Sequence, residues 1–201
     1  IDPDLVVKKE EGEYKVYWNQ DSYPSLRIST YYYNLLKNQD DEEISEYLEQ
    51  KYQSALWLIK SIEQRRETIK KIVKAIIKKQ RDFFDRGLKY LYVMTMEELA
   101  EEIEMHESTV SRATTGKYVQ TPHGVFSLKF FFHSGIDNVS SVSIKAIISE
   151  KIAEEDKSST LSDSRLADIL ALEHGLDISR RTVAKYRKSL GIPSSRKRKK
   201  A

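Results

Sequence analysis

The residues of this chain best equipped for chemistry lie in the octapeptide RRTVAKYR, residues 180–187, and its immediate flanks. At about 100° per residue, a helix over residues 178–190 places Arg181, Lys185 and Lys188 on one face and Val183, Tyr186 and Leu190 on the opposite stripe. A row of cations with no acid among them is equipped to hold an anion. An arginine fork or a lysine ammonium can also reach the paired acceptors on a base edge. Arg180 and Arg187 flank that face, nearer to where a phosphate backbone would pass, and Thr182 lies in the first turn behind the N-cap candidate Ser179. Arg196, Lys197 and Arg198 continue the positive charge beyond Gly191 and Pro193, which end the helix.

Other chemistries find little support. Tyr186 beside two arginines has the outline of a recombinase nucleophile, but its helical phase points it inward, where a tyrosine packs. The four histidines, His106, His123, His133 and His174, are far apart, and no pair has the HExxH-like spacing of a zinc site. Neither a phosphate-binding nor a dinucleotide-binding glycine motif is present. The sequence therefore predicts no catalytic residues, no metal, no cofactor and no enzyme activity.

Charge is distributed unevenly. The net charge is +3, yet the segment from Arg180 onward holds ten Lys or Arg and no acid, leaving 24 basic against 31 acidic residues before it. Such a basic pole serves a phosphate backbone or is a solvated tail; beside a helix-turn-helix it points to DNA. There are no cysteines, which fits a reducing cytoplasm and excludes disulfides and thiolate metal sites. No apolar run approaches the roughly 20 residues of a membrane span, and the N-terminus lacks signal-peptide character. With no initiator Met, the sequence reads as a fragment.

The cationic row needs a scaffold. Residues 162–174 predict a capped helix with Leu166, Ile169 and Leu170 inward, and a tight turn over 175–178 leads into the cationic helix. That is helix-turn-helix grammar. A preceding helix over 143–155, with Ile144, Ile147, Ile148 and Ile152 aligned, supplies the third side of a small core.

Upstream, a second helix-turn-helix is predicted over 94–119. Thr95 and Glu98 have capping-box spacing, Leu99, Ile103 and Val110 point inward, and Glu104 stands where the turn usually has a glycine. Its exposed side carries His106, Glu107, Ser108, Thr109 and Arg112. Residues 54–86 read as one helix of more than 30 residues, with a break possible near Glu63 to Glu67. Its face of Arg65, Arg66, Lys70, Lys71, Lys74, Lys78 and Lys79 either passes near DNA or is solvated. Residues 5–7 and 14–18 predict a β-hairpin, and Tyr31, Tyr32 and Tyr33 either stack bases or, as the commoner outcome, pack under a helical layer. Phe126, Leu128, Phe130 and Phe131 are expected in a core.

Several of these stretches resemble one family. RRTVAKYR, residues 180–187, is similar to the signature box of bacterial sigma-54 (RpoN-type) transcription factors, with Ser179 where an alanine is usual. MHESTVSRAT, 105–114, resembles that family's helix-turn-helix; TPHGVFSLKFFF, 121–132, and LRIS, 26–29, are also family-like, and the long helix has a family counterpart. The resemblance covers nearly the whole chain.

It implies promoter DNA as a partner, read at a minus-24 GG element by the signature box and at a minus-12 GC element by the first helix-turn-helix. It also implies core RNA polymerase as a partner, and an ATP-dependent activator acting through an N-terminal region that this sequence does not contain. On this basis Ser179, Arg180, Arg181, Thr182, Lys185, Arg187, Lys188, Arg196, Lys197 and Arg198 are expected at the upstream element, and His106, Glu107, Ser108, Thr109 and Arg112 at the downstream one.

The expected fold is mainly all-α, with a small N-terminal hairpin, one very long helix and two helix-turn-helix modules, the last a separate three-helix domain. The expected boundaries are 1–53, part of a core-polymerase-binding domain; 54–93, the long helix; 94–133, the first module; 134–140, a flexible linker; and 141–201, the signature-box domain. The alternative is a helix-turn-helix repressor that binds a palindromic operator as a dimer.

Overall fold

The computed structural model describes residues 2–19, 26–37, 42–132, 135–136, 139–156 and 158–199. Of the predicted features, His133, Ser134, Asp137, Asn138 and Lys200 lie outside them. Helices dominate. In chain order they are α1 (Thr30–Lys37), α2 (Glu42–Lys79), α3 (Arg81–Arg86), α4 (Met96–Glu102), α5 (Glu107–Thr114), α6 (Ser141–Ala153), α7 (Asp163–His174), α8 (Arg180–Ser189) and α9 (Ser195–Arg198). Strands β1 (Leu5–Glu10) and β2 (Glu13–Trp18) form the predicted hairpin; β3 (Tyr118–Thr121), β4 (Gly124–Ser127), β5 (Gly135–Ile136) and β6 (Val139–Ser140) complete the set. Among the described residues, no helix is long and apolar enough to cross a membrane.

The chain divides into two compact units, residues 1–75 with 100–128 and residues 76–99 with 129–201. In the first unit the hairpin is not a lone element. β1 pairs in parallel with β3, which pairs with β4, giving a four-stranded sheet in the order β2-β1-β3-β4. The Asp4 carboxylate locks that junction by accepting from the Lys117 ammonium at 2.7 Å and from the Tyr118 N–H at 2.9 Å.

Helix α2 has 38 residues, roughly 57 Å at 1.5 Å per residue. It begins twelve residues before the predicted start, ends at Lys79 rather than near Arg86, and runs unbroken through Glu63 to Glu67. Hydroxyls that could have capped a new helix turn back onto it instead: Ser61 Oγ donates to the Trp57 carbonyl and Thr68 Oγ1 to the Gln64 carbonyl, at 2.8 and 2.9 Å. Its apolar stripe is buried only in the second half, at Ile69, Ile72, Val73 and Ala75 in this unit, whereas Trp57 and Leu58 are exposed. Tyr31, Tyr32 and Tyr33 do not pack under a helical layer. They are exposed because α1 buries no residue and lies beside the exposed half of α2, with Tyr33 against Tyr52.

The second unit is built on two apolar clusters. The Phe83, Phe84 and Phe131 rings meet at 5.2–5.9 Å between centroids, Phe130 is half-buried beside them, and Leu91 and Met94 are also buried. Buried Gln80 ends α2 here by pairing with the Tyr92 backbone, its amide donating to the carbonyl and accepting from the N–H, both at 3.0 Å.

The other cluster joins Ile144, Ile147 and Ile148 of α6, Leu166 and Leu170 of α7, Leu176 and Ile178 of the turn, and Val183 of α8. Each such side chain contributes about 1.5–3 kcal/mol by leaving water. Ser140 caps α6. Ser143 Oγ accepts from the Leu91 N–H at 3.1 Å and lies 2.8 and 3.0 Å from the Leu91 and Leu88 carbonyls, anchoring α6 to that segment.

Candidate nucleic-acid interface

The entry to α8 is set by local chemistry. Gly175, at φ 66°, closes α7 in the left-handed conformation, with the Gly175 and Leu176 N–H groups donating to the Ala171 and Leu170 carbonyls. Three residues later the Ser179 hydroxyl accepts from the Thr182 N–H at 3.3 Å and lies 3.0 Å from Thr182 Oγ1, which assigns both residues to the cap. Gly191, at φ 71°, ends the helix as expected. Arg180, Arg181, Lys185 and Lys188 are exposed; Arg180 helps to hold the Asp163 carboxyl charged, and the other three have no protein partner among the described residues. Tyr186 is half-buried with the Lys145 ammonium over its ring, the surroundings of a packed residue. Leu190, expected inward, is 38% exposed because it falls at the C-cap.

Arg187, expected at the side of the cationic face, and Arg198, expected in a basic tail without fixed geometry, are both engaged inside the protein. Arg187 is 5% exposed, forks onto both carboxylate oxygens of Asp163 at 2.6 and 2.9 Å, and donates to the Ile192 carbonyl at 2.7 Å. All this binds α8 to the start of α7. Arg198 forks onto Glu155 at 2.6 and 2.9 Å and also reaches the Leu161 and Pro193 carbonyls.

The tail through Lys199 therefore has a fixed geometry in α9, with Arg196 and Lys197 left exposed. The sequence carries a hint for Arg187, which follows the inward Val183 by one helical turn. It carries none for Asp163 or Glu155, which are 24 and 43 residues from their partners.

These forks tie stability to pH. The Arg187 guanidinium holds the Asp163 carboxyl below the usual range, and the Arg198 guanidinium does the same for Glu155, in both cases against the opposing effect of burial. A folded pKa below the unfolded one means that the unfolded chain binds more protons in acid, so this stability is complete above about pH 5 and is lost as pH falls through 4 and below. Thermal midpoints followed by circular dichroism should therefore fall steeply in that window. Asp163→Asn should start lower and fall less; an unchanged acid slope would count against the assignment.

The second helix-turn-helix has the predicted reciprocal capping box, with the Thr95 N–H donating to Glu98 Oε2 and the Glu98 N–H to Thr95 Oγ1. Glu104 takes the left-handed turn at φ 55° without being glycine. The strain is met by bonds around it: the Met105 N–H donates to the Ala100 carbonyl at 2.9 Å, and the Lys71 ammonium donates to the Ile103 carbonyl at 2.8 Å.

His106 is the N-cap of α5, its Nδ1 accepting from the Ser108 N–H at 3.1 Å, so His106 and Ser108 are occupied in shaping the helix start. Glu107, Thr109 and Arg112 are exposed, and Arg112 has no partner among the described residues. Beside Met105 a groove of about 310 Å³ is lined by Lys70, Lys71 and Lys74 of α2 together with Thr68 and one acid, Glu67. Two cationic surfaces thus exist, each on or beside the second helix of a helix-turn-helix. Among the described residues, no group of His, Asp and Glu is arranged to hold a metal ion.

The chain is similar to several known proteins. A family model described as the sigma-54 DNA binding domain matches residues 45–200. The RNA polymerase sigma-54 factor of Escherichia coli (strain K12) is 41% identical, with 98% of this chain and 42% of that protein covered. The factor of Vibrio anguillarum is 45% identical, with 98% and 41% covered. Among solved structures, the crystal structure of Aquifex aeolicus sigmaN bound to promoter DNA is similar at a TM-score of 0.65 and 34% identity, with 98% of this chain and 60% of that chain covered. The chain spans less than half the length of either of these two sigma-54 factors.

Proposed function

Because the chain belongs to the sigma-54 family, whose DNA-binding domain it matches over residues 45–200, we propose that it directs transcription initiation by recognising promoter DNA at two separated elements. Residues 141–201 read the upstream minus-24 GG element through α8, and residues 94–133 read the downstream minus-12 GC element through α5. Residues 1–53 contribute to holding core RNA polymerase. An ATP-driven activator acts through a region outside this sequence, and the chain itself catalyses nothing. The work is done in the cytoplasm.

The observation that carries this reading is the outward face of α8. Arg181, Lys185 and Lys188 stand exposed there with no acid between them and no internal partner among the described residues. A helix of that kind entering the major groove meets guanine O6 and N7 with the donors they accept. Arg180, Lys188, Arg196 and Lys197 lie where they can position the helix on phosphates.

Nuclease footprinting tests the proposal on duplexes carrying both elements, one or neither. Two unlike protected patches about one helical turn apart are expected when both elements are present, and each should vanish with its element. A single palindromic footprint with a dimer's stoichiometry would replace this reading with the repressor alternative.

A further inference from the structure

Beside the start of α8 lies an open cleft of about 440 Å³, bordered by Ser162, Ser164, Arg180, Ser194, Arg196 and the Asp163 carboxylate. Both oxygens of Asp163 are already occupied by Arg187, so its charge is neutralised from behind. Arg180 adds its charge to that acting on Asp163, Arg196 has no partner among the described residues, and neither do the hydroxyls of Ser164 and Ser194. Ser162 Oγ accepts from the Arg165 N–H, which leaves its own proton free to donate. The cleft thus presents two guanidinium groups and three hydroxyl donors around one carboxylate that is already paired with Arg187. That composition suits a tetrahedral oxyanion.

Arg196 is not a loose tail residue. Two positions on, Arg198 is pinned by four bonds to Glu155, Leu161 and Pro193, and the Ser195 carbonyl accepts from Thr160 Oγ1 at 3.0 Å. The backbone carrying Arg196 is therefore ordered before any ligand arrives, which lowers the entropic cost of contact. The cleft is too open to enclose a small free ion, and it is continuous with the base-reading face through Arg180, the neighbour of Arg181. A strand passing the start of α8 would run along it.

We propose that this cleft seats one backbone phosphate of the upstream DNA strand, with Arg180 and Arg196 supplying charge and Ser164 a positioning hydrogen bond. The Glu155–Arg198 clamp acts indirectly, by holding Arg196 in place. This rests on the reading of α8 as the upstream DNA-binding helix.

The test uses the full chain and duplexes in which methylphosphonate neutralises one phosphate at a time across the upstream element. Wild type should lose roughly tenfold in affinity at one phosphate on one strand. Arg196→Ala should bind the unmodified duplex roughly tenfold more weakly, lose almost nothing further at that phosphate, and lose as much as wild type at every other sensitive one. Its slope of log affinity against log salt should be shallower by about 0.9.

Glu155→Gln, with its folded fraction checked by circular dichroism, should shift the same position in the same direction. Equal losses for Arg196→Ala at every position, or unchanged affinity, would overturn the cleft while leaving α8 as the reading helix. A wild type that ignores the upstream element would overturn both. Competition by inorganic phosphate at constant ionic strength that disappears in Arg196→Ala would reassign the cleft to a free anion and likewise overturn the proposal.

Discussion

Arg187→Ala is expected to destabilise the α6–α7–α8 core by about 3 kcal/mol, the low end for an ion pair inside a protein, because it leaves the part-buried Asp163 carboxylate without its main counter-charge. The pair is well inside the protein, with side chains 5% and 18% exposed, and its two parallel bonds tie α8 to the N-terminus of α7. A loss of that size is a large fraction of the roughly 5–15 kcal/mol that separates folded from unfolded domains. It should lower the melting temperature by more than about 10 °C, at about 4–8 °C per kcal/mol for a unit of this size.

Lysine should not rescue it. An ammonium can meet one carboxylate oxygen but cannot fork across both while also reaching the Ile192 carbonyl. The double change Arg187→Met with Asp163→Leu should cost less than the sum of the two single changes, since neither charge is then stranded. Thermal melts of the four proteins decide the matter. A stable Arg187→Ala chain with weakened, salt-sensitive DNA binding would return Arg187 to the phosphate contacts.

Arg181→Ala should leave stability nearly unchanged and affect recognition instead. The side chain is exposed and has no partner among the described residues, so nothing in the fold depends on it. On a duplex carrying the GG element, the loss of a bidentate contact to guanine should weaken binding by about 1–3 kcal/mol, roughly ten- to a hundredfold. On a scrambled duplex the loss should be much smaller, because only the general attraction of one cation is removed.

Lys185→Ala should follow the same pattern with a smaller ratio, since an ammonium fits the acceptor pair less rigidly. Titrating both variants against both duplexes at two salt concentrations separates base reading from charge neutralisation. Equal losses of Arg181→Ala on matched and scrambled DNA would leave it as a phosphate contact.

Local features of the interface were legible in the sequence because they depend on residues only a few positions apart. The Ser179 cap, the left-handed Gly175 and Gly191, the Thr95–Glu98 box and the inward phase of Val183 all follow from short-range geometry and appear as such in the structure. The cationic face of α8 follows from the same helical period. Even Glu104 was recognisable as a turn residue in an unfavourable conformation, although the Lys71 ammonium that braces the turn was not.

Long-range packing settles which of several similar side chains is used internally. Arg181 and Arg187 are the same residue type on one helix, and only the arrival of Asp163 from α7 makes one part of the fold and leaves the other free. Glu155 does the same for Arg198, turning the start of a basic tail into an ordered turn. The apolar stripe of α2 has much the same period along its length, yet it is buried only where other segments pack against it, and the β1–β3 pairing joins segments more than a hundred residues apart. Periodicity specifies the face that a helix or strand can offer. Which distant element covers that face, or cancels its charge, depends on chain closure over long separations that no local pattern encodes.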